Sequence, residues 1–275
     1  MSSKPPLLLL HPVGVGLSHH FWDRFISCWH DRHQGAVMAP DLLGCGVAST
    51  TDRCLTPRLW AEALRPQLKQ LNQPAVLVVQ GGSLPIALEL INLAPEACAA
   101  LVMVGPPGWR VMGEPANPWL QRLLWWGLFQ GLSGRLFWRW ARREAFLSSF
   151  SRKELFAEPE GVDQEWLDQL RQDSADSSTR WAVFSFLAGF WRRNYHKELR
   201  ALHLPVLALV GESASGISRS GRRDTSAQKL ADYGAAINGL SSRVIPGRNV
   251  LPYESSAATA SAIDEWIQNI SAPNP

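Results

Sequence analysis

The sequence predicts an α/β fold: a mostly parallel central sheet with helices on both faces, interrupted by a long helical insert. Three observations predict it. In the first hundred residues, short apolar runs without polar alternation take turns with helix-spaced segments, as strands covered on both faces do. Residues 109–191 then carry no strand pattern, and two further apolar runs and a closing helix follow. The chain has 275 residues, 46% of them hydrophobic and 19% charged, which is enough for one large domain with a full core and excludes general disorder.

The elements follow in order. Residues 7–10, four leucines, form a buried strand that ends at His11-Pro12. Residues 36–38 form a second, ending at Pro40-Asp41. Apolar residues at 60, 64, 68 and 71 give helical spacing over 60–71. Residues 75–79 are a third strand, and 85–93 a helix with Pro85 in its first turn. Residues 101–104, 206–210 and 242–245 complete the strands, and a helix over about 257–270 closes the chain. The expected division is a core of 1–108 and 200–275 with a helical cap over 109–199.

Composition excludes several functions. A net charge of +3 is too weak to argue for nucleic acid. No apolar run reaches the roughly 20 residues of a membrane span. The first ten residues are too short for a secretory apolar region, so the cytoplasm is the expected location. Cys28, Cys45, Cys54 and Cys98 show no metal spacing. They suggest free thiols in a reducing compartment, with no metal and no cofactor. The unusual count is Trp, 13 in all, which suits either a large apolar pocket or an interfacial surface.

The third strand runs into Gln80-Gly81-Gly82-Ser83-Leu84-Pro85. A serine in a sharp strand-to-helix turn, with a small residue two before it, reads as a nucleophile elbow. Ser83 is then the candidate nucleophile and the Leu84 N–H an oxyanion donor. The plainer reading is a turn with a helix cap.

Other segments give this turn a context. His11-Pro12-Val13-Gly14 follows the first strand, Asp41-Leu42-Leu43-Gly44-Cys45-Gly46-Val47-Ala48-Ser49 follows the second, and Pro205 to Glu212 and Val244 to Gly247 come late. In this order they resemble the α/β-hydrolase superfamily, of esterase or lipase type, over almost the whole chain. The resemblance implies the α/β-hydrolase fold, a second oxyanion donor at Val13, a catalytic acid after Gly211 and a histidine after Gly247.

Both of those positions depart from the pattern. Ala214 or Ser215 stands where the acid is expected, and Val250 where the histidine is expected. A serine without a neighbouring base stays protonated and is a poor nucleophile. His11, His19 and His20 lie on the same side as Ser83 and are candidate surrogate bases, and Glu212 is the nearby carboxylate. The altered loops carry Arg219, Arg222, Arg223 and Arg248, which suit an anionic ligand if they face inward and a solvated surface if they do not.

The insert carries its own signal. Residues 109–143 contain six Arg and one acid, Glu114. Arg135, Arg139 and Arg142 recur on one helical face and Leu132, Leu136 and Trp140 on another. Such a helix packs over a pocket as a lid or lies on an anionic membrane surface. Three functions therefore stay open: a catalytically degenerate binder of a hydrophobic small molecule, with or without an anionic group; an active serine hydrolase through Ser83; and a peripheral-membrane protein using the Arg- and Trp-rich cap.

Overall fold

The structure is a computed structural model that describes residues 4–32, 35–48, 52–216 and 224–271. Among the described residues, six strands form one parallel sheet: β1 (Leu7–Leu10), β2 (Val37–Met38), β3 (Ala75–Gln80), β4 (Cys98–Val104), β5 (Val206–Gly211) and β6 (Ser241–Ile245), in the spatial order β2-β1-β3-β4-β5-β6. All five pairings are parallel. The fold class expected from the sequence is the one observed.

Strand alternation divides the core into two layers, because successive side chains point to opposite faces. Leu8, Leu10, Leu77, Val79, Leu101 and Met103 face α2 (Pro57–Gln70) and α3 (Leu84–Leu93). Leu7, Leu9, Val76, Val78, Val102 and Leu209 share the other layer with α1 (Asp23–His30) and α13 (Ser256–Ser271). Thr56 caps α2 by accepting from the Leu59 N–H, and Pro57 occupies its first turn, where a missing donor does no harm. Strands buried on both sides must be apolar throughout, which is why these runs show no alternation in sequence.

Among the described residues, every element between β4 and β5 is helical. These are α4 (Trp109–Gly113), α5 (Pro118–Arg122) continuing as π-type turns over Leu123–Phe129, α6 (Leu132–Ala141), α7 (Glu144–Phe150) followed by π-type turns over Ser151–Leu155, α8 (Gln164–Asp173), α9 (Arg180–Leu187) and α10 (His196–Arg200); α11 (Ser226–Ala236) follows β5, and α12 (Leu251–Glu254) lies between β6 and α13. Trp125, Phe129, Trp138, Trp181 and Phe184 form a third apolar cluster within this segment. Other parts of it merge with the main core. Trp166, Leu167 and Leu170 of α8 join the layer of α1, and Tyr195 and Leu199 join that of α3. Arg193 Nη2 binds Glu89 Oε1 of α3 at 2.6 Å. The helical segment is thus anchored on both faces of the sheet. No described helix is long and apolar enough to cross a membrane.

Candidate functional site

In parallel α/β sheets ligands bind outside the carboxyl ends of the strands, and the sequence-selected loops gather there. β3 leaves the sheet at Gln80 and turns through Gly81-Gly82-Ser83 into α3. The conformation of that turn locates its apex. Gly81 has φ +55°, in the left-handed region that glycine tolerates and a side chain rarely adopts. Ser83 has φ −84° and ψ −2°, an unstrained conformation. The residue at the strained apex, where a nucleophile elbow holds its serine, is Gly81. The signal was present in the chain: Val79-Gln80-Gly81-Gly82-Ser83 aligns its centre with Gly81 and its closing small residue with Ser83.

Ser83 differs from the expected nucleophile in its surroundings as well. It is completely buried, and its hydroxyl donates to the His11 carbonyl oxygen at 2.7 Å. The Leu84 N–H donates to the Gly81 carbonyl, closing the turn. Phe186 of α9 lies directly over this turn: a Cβ at Gly82 would come within 2.5 Å of the ring. Phe186 in turn stacks on Trp191, centroids 4.9 Å apart. Val13, the other expected oxyanion donor, is buried in the same core layer.

The three candidate surrogate bases have other partners. The His11 ring is fully buried, with Nδ1 2.9 Å from the Pro12 carbonyl and Nε2 accepting from the Leu42 N–H at 3.0 Å. That pattern fixes the neutral ring with its proton on Nδ1. Burial pulls its pKa down to about 4, against a smaller upward pull from the Pro12 carbonyl. His19 Nδ1 sits 2.9 Å from Asp41 Oδ1. Burial raises the pKa of Asp41, but the backbone N–H groups of His19 and Val47 together with the His19 ring outweigh it and hold the carboxyl below its usual value. His20 Nδ1 sits 2.9 Å from Asp173 Oδ2, a carboxylate also bound by Ser18. Burial lowers the His20 pKa, but Asp173 overrides it and the net shift is upward. Among the described residues, no histidine ring bonds to Ser83.

The loops expected to carry the acid and the histidine meet through Arg248 and Ser215, which the sequence singled out, and through Asn249, which it did not. Ala214 is buried and Glu212 is exposed. Val250 is buried in the core layer of α13 and does not face the acid loop. Its neighbour Asn249 does: its Nδ2 donates to the Ser215 carbonyl at 3.0 Å and the Glu154 carbonyl at 2.7 Å. Gln80, next to the apex, donates from Nε2 to the Asn249 carbonyl at 2.7 Å. Arg248 is engaged within the protein, at Ser215 Oγ (2.7 Å from Nη2) and the Lys153 carbonyl, a different use from the expected anion contact. Arg219, Arg222 and Arg223 lie outside the described residues. No cluster of metal-binding side chains occurs among the described residues.

The comparisons agree with this architecture. No curated protein matches the sequence. A thermophilic esterase from Thermogutta terrifontis superposes with a TM-score of 0.74 at 20% identity, over 99% of this chain and 92% of its own. A serine hydrolase involved in carbazole degradation gives 0.74 at 16% identity, over 98% and 92%. A bromoperoxidase from Bacillus anthracis gives 0.72 at 16%, over 97% and 93%. At these identities the likeness concerns the fold. The sequence pattern of the alpha/beta hydrolase family matches residues 7–262, nearly the whole of the sheet and its helices, and the chain belongs to that family.

Proposed function

We propose that this chain is a non-hydrolytic member of the family, one that keeps the fold and has lost the chemistry. The observation that carries the reading is Gly81 at the strained apex of the elbow, a residue with no side chain to act as nucleophile. Ala214 and Asn249 on the two loops that meet beside it support the same reading, because a triad works as a unit and neither can replace a carboxylate or an imidazole. The activity left to such a fold is binding. A hydrophobic small molecule would sit among the aromatic residues of the helical segment. There the Trp138 Nε1–H is buried without an acceptor and would suit an oxygen atom on the ligand. In this reading 109–199 acts as a cap over the sheet.

The competing reading is ester hydrolysis through Ser83, and it has on its side the activities for which the solved relatives are named. It requires the Ser83 hydroxyl to leave the His11 carbonyl and find a base. A fluorophosphonate probe separates the two. The non-hydrolytic reading expects no labelling, and hydrolysis of short p-nitrophenyl esters no faster than by the Ser83→Ala variant. Ser83-dependent labelling would overturn it.

A further inference from the structure

Apart from Val47 on the loop after β2, the most exposed large apolar side chains of the described residues concentrate on one helical hairpin. Trp119 and Trp126 are 70% and 71% exposed, and Leu132 is 71% exposed. Leu123, Leu136 and Trp140 are exposed beside them. They project from α5 and its π-type extension and from α6, whose opposite faces carry Trp125, Phe129 and Trp138 into the third apolar cluster. The hairpin is closed by Ser133 Oγ donating to the Leu128 carbonyl at 2.6 Å and by packing of Phe129 against Phe137. It therefore has an apolar face turned inward and a second one turned outward. A tryptophan indole left in water forfeits a large apolar area, and contiguous patches of this kind mark contact surfaces.

The charges on the same hairpin select the partner. Arg122, Arg135, Arg139 and Arg143 are exposed and, among the described residues, none has a carboxylate within ion-pair distance. Residues 115–143 contain no Asp or Glu at all. Two copies of this surface placed face to face would oppose arginine to arginine. An anionic bilayer surface meets both requirements: its headgroups accept the guanidinium groups, and its acyl boundary accepts Trp and Leu. Tryptophan also favours the interface, with its ring at headgroup depth.

We propose that residues 118–143 form a peripheral docking surface for anionic membranes. The hairpin would lie in the interface plane, Trp119, Trp126 and Leu132 inserted and the arginines on the headgroups. This inference goes beyond the non-hydrolytic reading and does not depend on it, since no residue of the elbow takes part.

The test is flotation of the full chain with phosphatidylcholine vesicles, with and without phosphatidylglycerol, alongside a Trp119→Ala/Trp126→Ala variant and an Arg135→Gln/Arg139→Gln variant. The wild type is expected to float with the anionic vesicles and to stay behind with the neutral ones. The arginine pair should weaken binding by about fivefold per charge removed, and raised salt should weaken it further. The tryptophan pair should abolish binding while leaving the circular dichroism spectrum unchanged, because both rings are at the surface. Light scattering on the same samples gives the oligomeric state. No flotation, flotation indifferent to lipid charge, or a dimer that dissociates in the tryptophan variant would each overturn the proposal. Fluorophosphonate labelling would overturn only the non-hydrolytic reading.

Discussion

The side-chain amide of Gln80 donates to the carbonyl oxygen of Asn249 at 2.7 Å. The residue before the elbow apex thereby holds the loop in which the family places its histidine. Asn249 passes the connection on, its own amide reaching the Ser215 and Glu154 carbonyls, and its N–H donating to the Leu155 carbonyl at 2.9 Å. Strand, two loops and helical segment are thus tied together beside the turn at Gly81.

If this is a joint, breaking it should cost stability. Asn249→Ala leaves two partly buried carbonyls without their donor, and a loss of about 1–3 kcal/mol is expected in urea denaturation. Ester hydrolysis should stay at background in both proteins. A loss of hydrolysis in the variant would show that Asn249 takes part in chemistry.

Restoring a triad tests the assignment of the apex. Gly81→Ser, Ala214→Asp and Asn249→His together should produce fluorophosphonate labelling that no single change produces. The serine at φ +55° should cost about 1–2 kcal/mol. The alternative histidine position behaves differently: Val250→His puts an imidazole into the apolar layer of Leu251 and Ile263. It should destabilise by about 1–3 kcal/mol without giving activity in any combination. A labelled variant carrying Val250→His with Ser83 would reverse this assignment.

His11 should make the fold acid-sensitive. Its ring binds its proton less readily in the folded chain, at a pKa of about 4 against the ordinary 6.5. Between those values the unfolded state holds more protons, so stability falls as pH drops from 6.5 towards 4. The contribution is roughly 3 kcal/mol across that window. Protonation would also turn Nε2 into a donor facing the Leu42 N–H. Denaturant melts at several pH values should show the loss, and His11→Gln should flatten that part of the profile.

Phe186 over Gly82 gives a packing test. Gly82→Ala should destabilise by about 1–3 kcal/mol, because the new methyl meets the ring. Phe186→Ala removes that obstacle, so the second change should cost much less in its presence. Additive losses in the double variant would show that the two residues are not coupled.

The sequence by itself determined the sheet and the order of its helices. Strands covered on both faces have to be apolar runs, so β1, β3 and β5 could be read directly. Periodicity likewise exposed α2 and α3, and the absence of any strand pattern exposed the helical segment. The substitution at the expected acid position was also legible, since neither Ala214 nor Ser215 carries a carboxylate wherever it points. What only tertiary structure decided was which residue faces which. A turn of Gly-Gly-Ser allows two registers, and the backbone angle at Gly81, imposed by the crossing from β3 to α3, chose between them. Asn249 and Val250 are neighbours in sequence, and the packing of α13 against the sheet sent Val250 into the core and left Asn249 facing the loops. The arginine pattern of α6 was split in the same way. Arg142 turns to the Ala175 carbonyl while Arg135 and Arg139 stay exposed, because only contact with the rest of the chain fixes which side of an amphipathic helix is left uncovered.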